Sequence, residues 1–260
     1  RLAGSSIAGP YLANLVKEAF VDLYLSVNVG STTAPKGSRA YYPYRLEQVH
    51  EIPETATSHP ECYRYIVDSS YNHPEYGNQE VFDTAHRIGA DSVILADVLN
   101  DVDGTVEAVI DGLELYEKHD FNGDIIIPLQ APHDECFRKL RDRGVSMNHT
   151  FAIGGLKKCN DDAKKIRTAK SLREVAGDEV SIHGLGYGVT PQIADAIRQD
   201  PSLLDSMDYS TPAQSGIDDL MKGKEGLCTV AARAGAGLVE DLRRVSPLVD
   251  ATRSTTLGDF

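Results

Sequence analysis

Short apolar runs recur along this chain, and each stops on a polar residue or a glycine. Six are clear: RYIVDSS stops at Asp68, SVILADV at Asp97, DIIIPLQ at Gln130, FAIGGL at Gly154 and Gly155, VSIHGLG at His183, and LLDSMDYS at Asp208. Consecutive stops lie roughly 24 to 33 residues apart, the length of one strand plus one crossover helix. Between the runs the apolar positions take helical spacing, over Asn78 to Ile88, Val102 to His119, Glu135 to Arg143, Asp161 to Ala176 and Gln192 to Arg198. Thr190 followed by Pro191 makes a helix start, with the threonine as cap and the proline at the first helical position. Upstream, Tyr11 to Phe20 has helical periodicity, Val21 to Val29 alternates like a strand, and Gly30 to Tyr44 has the composition of a loop near a mouth. A second strand is expected somewhere within Leu46 to Ile52. Downstream, Gln214 to Gly223 and Gly226 to Val245 read as helical and Ser246 to Phe260 as a polar, fraying end.

Regular alternation of strand and helix predicts an α/β fold with a parallel sheet. The 260 residues suit one (β/α)8 TIM barrel spanning the chain, since such barrels run to about 250 residues. An open doubly wound sheet also alternates, but it gathers its chemistry at one switch point. Here six strand ends carry functional-looking residues, which favours the closed barrel, where the carboxyl ends of all strands converge on one mouth.

Composition narrows the partners. A hydrophobic content of 41%, without tryptophan, is enough for a core of Val, Ile, Leu and Ala. The formal charge of −13 is spread from end to end, which reads as a surface adapted to high salt rather than as a tail for a cationic partner. At molar salt the Debye length shrinks to about 3 Å, so this charge does not exclude a nucleic acid. Cys62, Cys136, Cys159 and Cys228 form no ligand-spaced pair, so neither a disulfide framework nor a zinc knuckle is expected, and a reducing, cytoplasmic setting is. The apolar stretch from Ile7 to Val29 is broken by Lys17, Glu18 and Asp22, too short for a membrane span. No signal-peptide order opens the chain, and the missing initiator Met leaves open a longer amino terminus.

Asp68, Asp97 and Asp208 are the leading candidates for chemistry. Two carboxylates across one bond allow one to act as nucleophile while the other, its pKa raised by burial or by its neighbour, delivers a proton. Glycosidic bonds are broken this way. A third carboxylate suits the N–H and NH₂ edge of a guanine-like base. Gln130 offers a donor and an acceptor, and Gly154 and Gly155 leave backbone N–H groups room to face a ligand. In HGLGYGVTP, Gly184, Gly186 and Gly188 precede a capped helix, a loop type that approaches a phosphate or a flat ring. It does not match the dinucleotide fingerprint, so a dinucleotide fold is weakly supported, and no cofactor is expected. Tyr71 and Tyr187 are candidates to stack on a base. His183 reads as a ligand, an acid or a core histidine. The run Lys157, Lys158, Lys164, Lys165, Arg167, Lys170 and Arg173 either tracks a phosphate backbone or forms a solvated helix face.

The order of these motifs resembles the queuine/archaeosine tRNA-guanine transglycosylase family, a zinc-bearing (β/α)8 barrel. The likeness runs over residues 63 to 216: DSSYN at Asp68 for a DSGGFQ-like motif, LAD at Asp97, PLQAP at Gln130 for VQGG, AIGGL from Ala152 to Leu156, YGVTP from Tyr187 to Pro191, and MDYSTPAQSG from Met207 to Gly216. The resemblance implies that Asp208 attacks the sugar C1′ and holds a covalent nucleic-acid intermediate, while Asp68, in a motif with Ser69 and Tyr71, moves the proton. Asp97, Gln130 and Gly155 would then read the base, beside Gly154, His183 and Gly186. The chain departs from the family where Cys228 stands alone in place of a CxCxxC…H zinc site, where Gln214 replaces an arginine, and where no RNA-binding domain follows. It is most similar to compact, zinc-free relatives of tailed viruses, its acidity suggesting a haloarchaeal host. Those relatives replace guanine in DNA with a 7-deazaguanine such as 7-cyano-7-deazaguanine, which shields it from restriction. DNA is thus the expected polymer ahead of tRNA. A homodimer or a helper protein that opens the duplex stays open. So do two other classes: a metal-dependent barrel hydrolase or aldolase with Asp68, Asp97, His183 and Asp208 as ligands, and a catalytically dead nucleic-acid binder.

Overall fold

The computed structural model describes residues 19–26, 44–59, 62–70, 73, 75–209, 241 and 243–245. Eight parallel strands close into a barrel in sequence order: β1 Asp22–Ser26, β2 Tyr44–Gln48, β3 Arg64–Asp68, β4 Ser92–Ile94, β5 Asp124–Leu129, β6 Thr150–Ile153, β7 Ile182–Gly184 and β8 Ser206–Tyr209. Pairing of β8 with β1 along Asp22↔Ser206 to Leu25↔Tyr209 completes the ring. Five helices alternate with the strands from β3 onward: α1 Asn78–Ile88, α2 Val102–Tyr116, α3 His133–Asp142, α4 Asp162–Ala176 and α5 Pro191–Gln199. This is the (β/α)8 TIM barrel that the alternation predicts. The expected helix Gln214 to Gly223 and most of Tyr11 to Phe20 and Gly226 to Val245 lie outside the described residues, as does nearly all of the Gly30 to Tyr44 loop. Val245 is fully buried, and its carbonyl accepts the Phe20 N–H at 2.9 Å beside the start of β1.

Strand periodicity sorts the core into two layers. An inner cluster of Tyr24, Tyr44, Leu46, Ile66, Ile94, Ile126 and Ala152 fills the barrel. A larger cluster between barrel and helices includes Leu25, Val67, Phe82, Val93, Phe137 and Leu172. Each fully buried aliphatic side chain of this kind contributes about 1.5–3 kcal/mol. One step of two residues beyond the inner cluster, the strands change character: Ser26 follows Tyr24, Gln48 follows Leu46, Asp68 follows Ile66 and Gly154 follows Ala152. The apolar plug is therefore the floor of a polar mouth.

Three boundaries differ from expectation for visible reasons. β2 begins at Tyr44, within the stretch expected to be loop, and no α-helix follows it among the described residues. Its outward residues Arg45 and Glu47 are both buried and paired at 2.9 Å, so a buried ion pair disguises a strand as a polar segment. β4 stops at Ile94 rather than at Asp97, because the Ala96 N–H turns away to the Asn78 side chain at the start of α1 (2.8 Å). α3 begins at His133, two residues earlier than the apolar spacing implied. Thr190 does cap α5, its hydroxyl accepting from Ile193 N–H at 3.2 Å with Pro191 behind it.

Gly184 closes β7 under the ring of Tyr187, and a Cβ there would sit 2.7 Å from the ring carbons. The Tyr187 hydroxyl is anchored on the Lys165 carbonyl at 3.0 Å, which leaves the ring little room to move aside. Gly184→Ala is expected to cost about 1–3 kcal/mol through overpacking, read as a lowered denaturant midpoint with unchanged slope.

Candidate active site

At the carboxyl end of the barrel lies a cavity of about 260 Å³. It brings together Asp68, Ser69, Asp97, Gln130, Gly154, Gly155, Gly186 and Asp208, eight of the residues singled out from sequence. Leu46 and Ile94 belong to its floor, and Leu99, Asn100 and Leu185 also line it. A wider groove of about 520 Å³ adjoins it, sharing Ser26, Lys157, Lys158, Gly186 and Asp208. Asp208 thus stands on the partition between a small, partly apolar chamber and an open groove with lysines on its rim.

The carboxylates are in unlike environments. Asp68 ends β3 in register with Gln48 on one side and Ile94 on the other. It is half-buried and lines the cavity. Burial pushes its carboxyl well above the usual range, and the charges of Asp208 and Asp97 push further in the same direction. Lys157 and a hydrogen bond from Gln48 oppose the rise. Burial also raises Asp97, against a hydrogen bond from Gln130. Gln130 donates Nε2–H to Asp97 Oδ2 and accepts the Asn100 N–H on Oε1 at 3.1 Å. Asn100 reaches that position with a left-handed backbone, φ +60°. Asp208, the third residue of β8, accepts the Gly186 N–H on Oδ1 at 2.7 Å.

Several roles shift on inspection. The Gly154 N–H is spent on the Leu129 carbonyl (2.9 Å), and its own carbonyl takes a hydrogen bond from His133 at 2.9 Å. Gly155, with φ +72°, is the member of the pair whose N–H finds no acceptor among the described residues. A side chain at either position would press on Gln130, at 3.0 Å from Nε2 or 2.9 Å from Oε1. Ser69 is buried and donates to the Leu95 carbonyl at 3.0 Å, so it ties β3 to β4. His183 lines neither cavity: it is fully buried inside β7, behind Asp208, which corrects its placement among base-binding residues. Tyr187 is 1% exposed with its ring on Gly184, so it packs the loop rather than stacking on a base. Tyr71 lies outside the described residues, as does Gln214.

The basic run divides by burial. Lys165 is buried, with Nζ on the carbonyls of Gly186 (3.0 Å) and Tyr187 (2.8 Å). Arg173 is also buried, bonded to the Gly177 and Val180 carbonyls and paired with Asp205 at 2.9 Å. Lys157 and Lys158 line both cavities, and the buried Lys165 touches the wider groove alone. Among the described residues no group of three His, Cys, Asp or Glu side chains is placed to hold a metal ion, and no helix is long and apolar enough to cross a membrane. Sequence reasoning missed Ser26, Gln48 and Asn100. The end of the β2 run was the available signal for Gln48, since it ends its strand as Asp68 does. No protein-family model matches the chain, and no curated protein matches it.

A carboxyl with a raised pKa in the folded state holds a proton that the unfolded chain releases, so its stability penalty is absent below the ordinary Asp range and builds as the pH rises toward the raised value. Asp68→Asn removes that penalty while keeping the shape. The variant should melt at higher temperature than the wild type at neutral pH, with the gain shrinking as the pH is lowered toward about 4. Calorimetry across pH checks both halves.

Proposed function

We propose that this protein exchanges guanine in DNA for a 7-deazaguanine base, such as 7-cyano-7-deazaguanine, by double displacement on Asp208. The carrying observation is the division of labour between two aspartates in one cavity: Asp68 is held as a proton store by burial and by its acidic neighbours, whereas Asp208 keeps a backbone N–H on one oxygen. Nucleophilic and acid–base roles require such a split. Both contacts to Asp208 fall on Oδ1, so Oδ2 is the oxygen that attacks C1′.

In the first step the Asp208 oxygen bonds to C1′ and the bond from C1′ to guanine breaks. Asp68 gives its proton to the departing base, which leaves a sugar ester on Asp208 and an ionised Asp68. The incoming deazaguanine then enters the same chamber and gives its ring N–H proton to Asp68. Its nitrogen attacks C1′ and the ester bond to Asp208 breaks. No oxidant, reductant or cofactor is consumed. Asp97 accepts from the N–H and NH₂ edge of the base, with Gln130 fixing its carboxylate and Gly155 N–H as the remaining backbone donor. The flat apolar floor of Leu46 and Ile94, with Leu99 and Leu185, suits a planar ring.

The adjoining groove suits the sugar-phosphate chain, because it meets the chamber at Asp208 and carries Lys157 and Lys158. A target base reaches such a chamber only when out of the helical stack. DNA is favoured over tRNA on the motif departures, and the polymer is read directly by mass spectrometry of nucleosides from DNA and from tRNA of cells with and without the protein. Deazaguanine appearing only in tRNA would move the substrate.

Asp208→Asn and Asp208→Ala should abolish exchange and the covalent protein–nucleic acid band on a denaturing gel, while Asp68→Asn should block turnover; full exchange by either Asp208 variant would sink the reading. The double variant Lys157→Ala, Lys158→Ala should weaken single-stranded DNA binding without sequence preference. Its plot of log affinity against log salt should be shallower by about 1.4, or about 0.7 for each lost phosphate contact.

A further inference from the structure

His183 takes no part in the proposed exchange, yet it is fully buried with its ring beside Asp208. β7 and β8 pair His183 with Ser206, and Nδ1 lies 2.7 Å from Ser206 Oγ. The edge of the ring meets Tyr24 at 5.8 Å between centroids. Nε2 lies 3.4 Å from Asp208 Oδ1, and no described residue hydrogen-bonds to it. A buried ring nitrogen without a partner is uncommon and calls for a physical explanation.

Two tautomers are open to the ring, and the surroundings choose between them. With the proton on Nδ1, donated to Ser206, the Nε2 lone pair would face a carboxylate oxygen across a buried space, acceptor against acceptor. With the Ser206 hydroxyl donating to Nδ1, the proton sits on Nε2 and faces Asp208 Oδ1. Donor then meets acceptor, at the loose separation that catalytic contacts show without substrate.

We propose that His183 is a positioning residue for Asp208: its Nε2–H, fixed by Ser206, holds Oδ1 from behind and stabilises Asp208 as a carboxylate rather than as an ester. This rests on Asp208 being the nucleophile. The direction of the effect is specific. A donor on the carboxylate favours the state in which the sugar has left, so His183 serves the second step, in which the C1′–O bond breaks and Asp208 regains its charge. Gly186 N–H acts on the same oxygen from the loop side.

Three variants and one spectrum test it. His183→Phe fills the space without a donor, His183→Gln returns an N–H at similar reach, and Ser206→Ala frees the tautomer. In His183→Phe, exchange turnover should fall about tenfold while the trapped covalent adduct rises severalfold, because breakdown slows. His183→Gln should restore turnover and lower the adduct again, and Ser206→Ala should fall between. Adduct and turnover falling together, without rescue by Gln, would reduce His183 to packing and overturn the proposal. Nitrogen-15 NMR of the wild-type imidazole gives an answer that needs no activity: the proton should be on Nε2, and its signal should move in Asp208→Asn. A proton on Nδ1 overturns the proposal whatever the enzyme does. A wild type that forms neither adduct nor exchanged base overturns the function instead, with the NMR still deciding the His183–Asp208 contact.

Discussion

Closure of the sheet is the constraint on which everything else in this molecule depends. Once β8 pairs with β1, every second residue of each strand is forced inward, with nowhere to go but against its counterparts across the barrel. Apolar side chains fill that space up to the level of Leu46 and Ile94. The next inward position on each strand stands above a packed floor, with protein on every side and solvent only at the top. A polar residue placed there is desolvated by geometry alone. Asp68 shows the consequence in its raised pKa, for which burial is the largest cause and neighbouring carboxylates the next.

Such a ring of acids is costly unless donors answer it, and the answers come from backbone and amide groups rather than from paired cations. Asp208 takes the Gly186 N–H, Asp97 takes the Gln130 amide, and Asp68 takes Gln48. Neutral donors orient a carboxylate without the desolvation cost of a second buried charge. The two cations within reach, Lys157 and Lys158, stay at the exposed rim. The buried cations Lys165 and Arg173 are turned to carbonyls outside the chamber. That distribution leaves the cavity lined by carboxylates and neutral donors, with the lysine charge at its rim.

Much of this was legible before any coordinates. β3, β5 and β6 announced themselves because their runs are apolar on both faces, as buried parallel strands are, and β7 and β8 through their place in the alternation. The helices followed from spacing and from caps such as Thr190. β2 was not legible, because Arg45 and Glu47 neutralise each other beneath the outer layer, and a pair formed in space leaves no pattern in sequence. Asp97 was read as the end of the fourth strand, yet β4 stops at Ile94, since its departure depends on Asn78 reaching across from the preceding helix. The motifs also could not separate the buried from the exposed members of the basic run. Lys165 and Lys164 are neighbours in sequence, yet only one turns inward, and helix phase relative to the barrel decides which. His183 posed the opposite problem: the residue was picked out, but a strand one residue longer past it sets it behind the site.

The Gly186 peptide has a further consequence. Its N–H grips Asp208, while its carbonyl is gripped by Lys165 from the first turn of α4, so one glycine is held at both poles. Asp208 is thereby moored to the outer shell of the protein and not only to its own strand. Aim at the centre of the barrel is governed partly from the periphery, and a lesion on α4, well outside the chamber, has a direct mechanical route to the Asp208 carboxylate.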